Sequence, residues 1–465
     1  MSTRPLFGPT FDEMLHPETV APAIRERALA AESADPLDPI NLFNIRWRDT
    51  EGGLRYFLVP PEITGVEAPI AVMYSVDFPT GSHKVGAAYS VLMDMQLTGA
   101  VDPEQHTLVW PSTGNYGIGG AWVGCRMGYD CLVLLPQEMS QERFDKIEGY
   151  GARYIKTPGC ESNVKEIYDK CHELRAADPK VRVLNQFEVL GNYRFHYHVT
   201  GNSAAAVAAE LAGKGIGSGG VAAFCSSMGS AGTIAAGDRL KQLNPAHKIV
   251  GLEPIQCPTL YSNGYGGHDI QGIGDKHVTW IHNVLNMDLM CCLDDMECKR
   301  GLQLLTNPVG TEFLVREAGI APDAAATMAR IFGISGVCNL LGAIKTAKFY
   351  GFGKDDLVMT VATDAIDRYH SVMTDLDGRF GPLDDAEALA RFRSIFGGVR
   401  TDWAQEGTEL NRQRWHNLKY YTWVEQQGKT VRELDDQRDP AWWIEIQEQI
   451  PDIDRMNLAQ RPAAP

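Results

Sequence analysis

Asp77-Phe-Pro-Thr-Gly-Ser-His-Lys84 lies between an apolar run, Ile70–Val76, and an alanine- and methionine-rich run, Val85–Leu97. The first run is short and apolar, as a buried strand is; the second has the composition of a helix. The stretch therefore reads as strand, loop and helix, with a lysine at the helix entry. The pattern recurs along the chain. Strands are predicted at Thr107–Trp110, Cys131–Leu135, Val181–Leu184, Val221–Cys225, Lys248–Glu253 and Leu357–Ala362. Helices are predicted between them at Ile118–Arg126, Gln141–Tyr150, Ser203–Ala212, Thr233–Leu243 and Asn339–Phe349. Such alternation predicts an α/β fold of mostly parallel twisted sheets with helices on their faces. Ligands in such sheets sit beyond the carboxyl ends of the strands, so the strand-to-helix loops are the places to look for chemistry.

The chain has 465 residues, enough for two or three domains, with 44% apolar and 22% charged residues. A net charge of -16 speaks against general affinity for nucleic acid or anionic lipid. No apolar run reaches the roughly 18–20 residues that span a bilayer, and no secretory signal is visible at the start. The ten cysteines form no regular framework, which fits a cytoplasmic protein. Residues 1–40 read as an arm with one short helix around Val20–Glu32. After about Thr374 the chain turns polar, and five of the nine tryptophans (Trp403, Trp415, Trp423, Trp442, Trp443) fall there.

Four loops carry candidate chemistry. Lys84 sits where a helix dipole and partial burial lower an amine's pKa, as attack on an aldehyde requires; an isolated lysine of this kind is otherwise a surface turn residue. Trp110-Pro-Ser112-Thr113-Gly114-Asn115-Tyr116-Gly117 opens a helix with hydroxyls, an amide and free N–H groups, a place for a carboxylate or a plain helix cap. Cys225-Ser-Ser-Met-Gly229-Ser230-Ala231-Gly232-Thr233 has small residues that let backbone N–H groups approach a phosphate. It lacks the Gly-Lys-Ser/Thr ending of a nucleoside-triphosphate loop, so a monophosphate ester fits better. Phe332-Gly-Ile-Ser335-Gly-Val337 places a hydroxyl before an alanine-rich helix, able to face a ring nitrogen or simply to cap.

In this order the loops resemble those of the pyridoxal-phosphate enzymes of fold type II, and most closely the cysteine synthase and cystathionine β-synthase branch. Linking segments strengthen the likeness: Leu135-Pro-Gln-Glu-Met-Ser-Gln-Glu-Arg143, Gly149-Tyr-Gly-Ala152, Asn185-Gln186-Phe187-Glu188 with Thr200-Gly201, Val250-Gly-Leu-Glu-Pro254, Ile270-Gln-Gly-Ile-Gly274 and Thr363-Asp-Ala-Ile-Asp-Arg-Tyr369. The wording Thr-Gly-Ser-His-Lys84 is also similar to tryptophan synthase β chains. The resemblance implies pyridoxal 5'-phosphate on a Lys84 Schiff base, with Lys84 then moving the α-proton. It implies Asn115 at the ring hydroxyl, Gly229, Ser230, Ala231, Gly232 and Thr233 around the phosphate, and Ser335 at the pyridine nitrogen. Ser112, Thr113, Tyr116 and Gln186 would line the substrate carboxylate pocket. The implied reaction is β-replacement or β-elimination on a small amino acid through an aminoacrylate, with a small nucleophile as possible second substrate. The alternatives are a dehydratase or deaminase releasing a 2-oxo acid and ammonia, and a non-catalytic binding protein using the tryptophan-rich tail.

By the same resemblance, residues 1–69 form an arm and the first strands of a large domain, and 70–200 hold Lys84 and a smaller mobile domain at about 110–200. Residues 201–375 form the large cofactor-binding domain, 376–465 an extension, and a homodimer is implied. Two departures stand out. Ala231 occupies a position where glycine is usual, tolerable unless φ is positive, and Tyr116 replaces a small residue, narrowing the pocket or adding a phenol to it. No metal is expected: His282, Cys291, Cys292 and Cys298 lack tight paired spacing, and buried thiols in a strand fit better. His196 and His198 read as structural. The tail tryptophans read as a lid, a binding surface, or an anchor onto the core or a neighbouring subunit.

Overall fold

The computed structural model describes residues 8–112, 114–160 and 163–461. Eleven strands among them form two sheets. Their ranges are β1 Tyr56–Leu58, β2 Ile70–Tyr74, β3 Thr107–Pro111, β4 Asp130–Pro136, β5 Arg153–Thr157, β6 Val181–Val183, β7 Val221–Ser227, β8 Lys248–Pro254, β9 Leu289–Leu293, β10 Leu357–Ala362 and β11 Ala404–Glu406. The larger sheet runs β1-β2-β10-β7-β8-β9-β11, and the smaller runs β5-β4-β3-β6. The smaller sheet is wholly parallel. In the larger one only the outer strands β1 and β11 are antiparallel to their neighbours.

The central strands are mostly apolar because helices cover both faces. Every residue of β9 and β10 is buried. β9 is Leu-Met-Cys-Cys-Leu, so Cys291 and Cys292 are thiols in a buried strand, as expected. β5, Arg-Tyr-Ile-Lys-Thr, lies at an edge and keeps a charged, half-exposed face.

The parallel strands point their carboxyl ends at the site. β2 leads through the Asp77–Lys84 loop into the helix Lys84–Leu97; β3 leads to Asn115–Arg126, β7 to Ala235–Leu243. The site thus draws one loop from the small sheet and several from the large one. Residues 376–461 pack onto the larger sheet, where β11 pairs with β9 at Ala404↔Cys291 and Glu406↔Leu289. The first and last described segments also meet: the Asp454 carboxylate accepts from the N–H groups of Phe11 and Asp12 at 2.8 and 3.1 Å, and Arg461 pairs with Glu13.

Candidate active site

Lys84 is the first residue of its helix and is buried. Its ammonium donates to the Ser230 hydroxyl at 2.9 Å, which brings the lysine to the loop after β7. Ser230 also receives the Asn192 amide at 3.0 Å, and its carbonyl accepts from Thr279 Oγ1 at 2.9 Å. Helical bonding resumes only with Ala235, whose N–H donates to Gly232. Among the described residues, the five N–H groups from Gly229 to Thr233 donate to no protein acceptor. Consecutive open donors at a helix entry make an anion cradle. Ala231 has φ +59°, the left-handed region that glycine favours, so this departure carries strain. His83 closes the other side, its Nε2 3.2 Å from Thr233 Oγ1; burial and the neighbouring Lys84 charge hold it neutral, well below the usual histidine range.

A second polar group lies across the site. Asn115 Nδ2 donates to Asp364 Oδ2 at 2.6 Å, and Tyr369 donates to the same oxygen at 2.8 Å. Arg143, fully buried, donates to Tyr369 Oη at 3.1 Å and to Ser140 and Gln271. A carboxylate only accepts, so Asp364 fixes the rotation of the Asn115 amide and leaves Asn115 Oδ1 facing away. That Oδ1, the Ser335 hydroxyl and Asn192 Oδ1 are all buried without a hydrogen-bond partner. Buried polar atoms are seldom left unpaired, and three beside an open N–H cradle mark a place for a polar ligand. Ser335 lies in the first turn of the helix Ile334–Tyr350.

A further candidate loop follows β3. Ser112 Oγ accepts from Gly114 N at 2.9 Å and from Gly117 N at 2.8 Å. This leaves the Asn115 and Tyr116 N–H groups at the helix start without a backbone acceptor among the described residues. Gly114 sits at φ +156°, and a Cβ there would lie 2.7 Å from Arg143 Nε. The Gln186 side chain makes no hydrogen bond among the described residues and remains available to a carboxylate. Thr113 lies outside the described residues. Tyr116 turns into the core: its hydroxyl donates to the Leu184 carbonyl at 3.1 Å and its ring packs on Trp110, so its phenol is not offered to the pocket. Burial raises that phenol well above its ordinary range. His196 stands behind His83, rings 5.0 Å apart, and bonds Thr200.

Residues 255–284 form a wall of the site, of which the sequence motifs marked only Ile270–Gly274. Gly274 N donates to Met228 O at 2.7 Å, seating this segment on the phosphate loop. The tail holds it from outside. Buried Lys419 donates to the carbonyls of Trp280 and His282 at 3.0 and 2.7 Å and to Gln437 at 2.6 Å. Trp423 Nε1 reaches Val278 O at 2.8 Å, Trp415 Nε1 reaches Leu260 O at 3.1 Å, and Gln437 Nε2 reaches Trp280 O at 3.1 Å. Trp423 and Trp280 also share an apolar cluster with Tyr168 and Phe187, and Lys429 pairs with Glu188 at 2.8 Å. The tail therefore grips the active-site wall and the segment beside Gln186. The tryptophans were visible in the sequence; the carbonyls they bind carry no sequence signal.

The sequence of this chain matches the family model described as pyridoxal-phosphate dependent enzyme over residues 74–364. It is 30% identical over 305 residues to a cysteine synthase of Staphylococcus aureus, covering 65% of this chain and 88% of that one. It is 29% identical over 299 residues to a probable cysteine synthase of Bacillus subtilis, covering 64% and 86%. Its fold matches O-acetyl serine sulfhydrylase isoform 3 of Entamoeba histolytica with a TM-score of 0.59 at 23% identity, covering 73% of this chain and 92% of that one. The chain belongs to the pyridoxal-phosphate dependent enzyme family. Within it the chain is a fold-type II enzyme of the cysteine synthase type, a class acting at the β-carbon of an amino acid.

The residues present fit the cofactor: open N–H groups for a phosphate, a lysine within 2.9 Å of that loop, and unpartnered amide and hydroxyl oxygens for a polar ring.

Proposed function

We propose that this protein replaces or eliminates the β-substituent of a small amino acid, with pyridoxal 5'-phosphate as cofactor. The bond from Lys84 to Ser230 inside the open N–H cradle carries the reading. Gly229–Thr233 hold the phosphate, Ser335 meets the ring nitrogen, and Asn115 offers its second N–H and its bare Oδ1 to the ring hydroxyl. When bound, the cofactor supplies an aldehyde for the substrate amine and a conjugated ring that takes up the electron pair left on Cα.

The chain's own residues do the rest. The N–H groups of Asn115 and Tyr116, the Ser112 hydroxyl and the Gln186 amide hold the substrate carboxylate and so aim the Cα–H bond. Lys84 Nζ would take the α-proton, and the bond from Cβ to its substituent would then break. The wall at 255–284, held by the tail, keeps water from the reacting carbon. We further propose a cytoplasmic homodimer, in keeping with the cysteine usage and the family likeness.

The test is product analysis of protein loaded with pyridoxal phosphate. O-acetylserine with sulfide should give cysteine, and cysteine or serine alone should give pyruvate and ammonia. Absence of turnover with every β-substituted amino acid contradicts the reading.

A further inference from the structure

Asp275 is a carboxylate that no part of the described reaction uses. Its side chain is 94% buried by its 6% relative exposure, and its Oδ2 has no hydrogen-bond partner. The backbone around it is fixed on three sides. Gly274 N bonds Met228 O at 2.7 Å, Asp275 O accepts from Thr259 Oγ1 at 2.8 Å, and Thr279 Oγ1 bonds Ser230 O at 2.9 Å. Asp275 is thus bracketed by two bonds to the loop whose Ser230 hydroxyl receives Lys84. The tail fixes the same segment through Val278, Trp280 and His282. A carboxylate buried bare in so rigid a place costs stability, a cost that proteins carry mainly at functional sites.

Its electrostatic neighbours are few. Lys84 is the cation whose charge it feels, and Tyr168 from the small domain and Cys257 from the same wall feel its charge. On its own segment, the Lys276 ammonium lies over the Tyr265 ring, and burial holds His277 neutral at about 3. Burial raises the Asp275 carboxyl to about 7, against the pull of Lys84. Both protonation states are therefore populated near neutral pH, as a group that gives and takes a proton needs.

We infer that Asp275 is the acid–base group for the β-substituent, and that the substrate is an amino acid whose β-group leaves as a basic species, a hydroxyl or a thiol. This rests on the β-carbon reading above. In replacement Lys84 must return the α-proton to Cα, so a separate donor to the leaving oxygen or sulfur keeps that proton on Lys84. The Cβ–X bond breaks, its electron pair goes to X, and the Asp275 proton joins X to release HX. In replacement, the incoming H–Nu gives its pair to Cβ and its proton to the Asp275 carboxylate, so the carboxyl is restored. An ester substituent departs as a stable carboxylate and needs no such donor.

The test compares parent and Asp275→Asn holoenzymes on serine, cysteine and O-acetylserine, after equal cofactor uptake is checked by visible absorbance. Asp275→Asn should lower kcat by about 100-fold or more with serine and cysteine, with KM within a few-fold, and less than about tenfold with O-acetylserine. A second measurement avoids turnover. In the cofactor-free protein, a carboxyl raised in the folded state gives stability that is full at pH 4 and lost as pH rises to 7. The parent's thermal midpoint should fall over that window relative to Asp275→Asn. Equal losses on all three substrates, no loss, parallel pH curves, or a parent active only on O-acetylserine would each overturn the assignment while sparing the β-carbon reading. A parent inert on all three overturns both.

Discussion

The Lys84 ammonium donates to the Ser230 hydroxyl at 2.9 Å, between residues 146 positions apart in sequence. Two strand-to-helix loops, after β2 and after β7, meet there because β10 lies between those strands and pairs with both in parallel. The lysine is thereby held where the open N–H groups of Gly229–Thr233 converge.

Ala231 tests the cradle's backbone. At φ +59° it bears about 1–2 kcal/mol of strain. Ala231→Gly relieves this but loses chain entropy and a buried methyl of similar total size, so its unfolding free energy should stay within about 1 kcal/mol of the parent's. Ala231→Val cannot adopt this φ easily and should cost about 2 kcal/mol or more and weaken pyridoxal phosphate binding, measured by absorbance titration.

Asn115 tests the opposite side. Asn115→Asp would place a second carboxylate 2.6 Å from Asp364 Oδ2 in a buried setting. Cofactor affinity should fall more than tenfold at pH 8 and partly recover at lower pH, as one carboxyl of the pair protonates. Asn115→Ala should lose less, because Tyr369 and Arg143 still attend Asp364.

Lys419 tests the tail's grip. Lys419→Met removes the donor to the Trp280 and His282 carbonyls and to Gln437. Trp280 O keeps Gln437 Nε2 and His282 O keeps the Val284 N–H, so only Gln437 Oε1 loses its partner, at a cost of about 1–3 kcal/mol. Hydrogen exchange should quicken across residues 274–284 before the rest of the large sheet, whereas uniform protection would show that the tail does not hold the wall.

Asp454 gives a pH signature where the first and last described segments meet. Burial raises its carboxyl to about 6, opposed by the N–H groups of Phe11 and Asp12. The folded state thus holds a proton that the unfolded chain releases near 4. Stability tied to this group is full below pH 4 and lost as pH rises to 6, by about 3 kcal/mol. Asp454→Asn should flatten the thermal midpoint over that window relative to the parent.

The fold was legible because its central strands are buried on both faces and read as short apolar runs between turns. β5 escaped because an edge strand with Arg153 and Lys156 has no such run, and β1 and β11, with three residues each, are too short to show a period. In the site, Lys84, Asn115 and the Gly229–Thr233 loop stood out in the sequence because each lies between a strand and a helix, and Ser335 because it opens an alanine-rich helix. The direction of Tyr116 was not legible because a residue at a loop mouth can turn into the core, as its bond to Leu184 shows. Asp275, Asp364 and Asn192 were missed because each belongs to the site through contacts distant in sequence.

The most direct measurement of the central claim is borohydride reduction of protein loaded with pyridoxal phosphate, followed by digestion and mass spectrometry. The pyridoxyl label should be found on the peptide carrying Lys84, and Lys84→Ala should take up no label and show no visible absorption band. Label on another lysine, or equal labelling of the Lys84→Ala protein, would contradict the account.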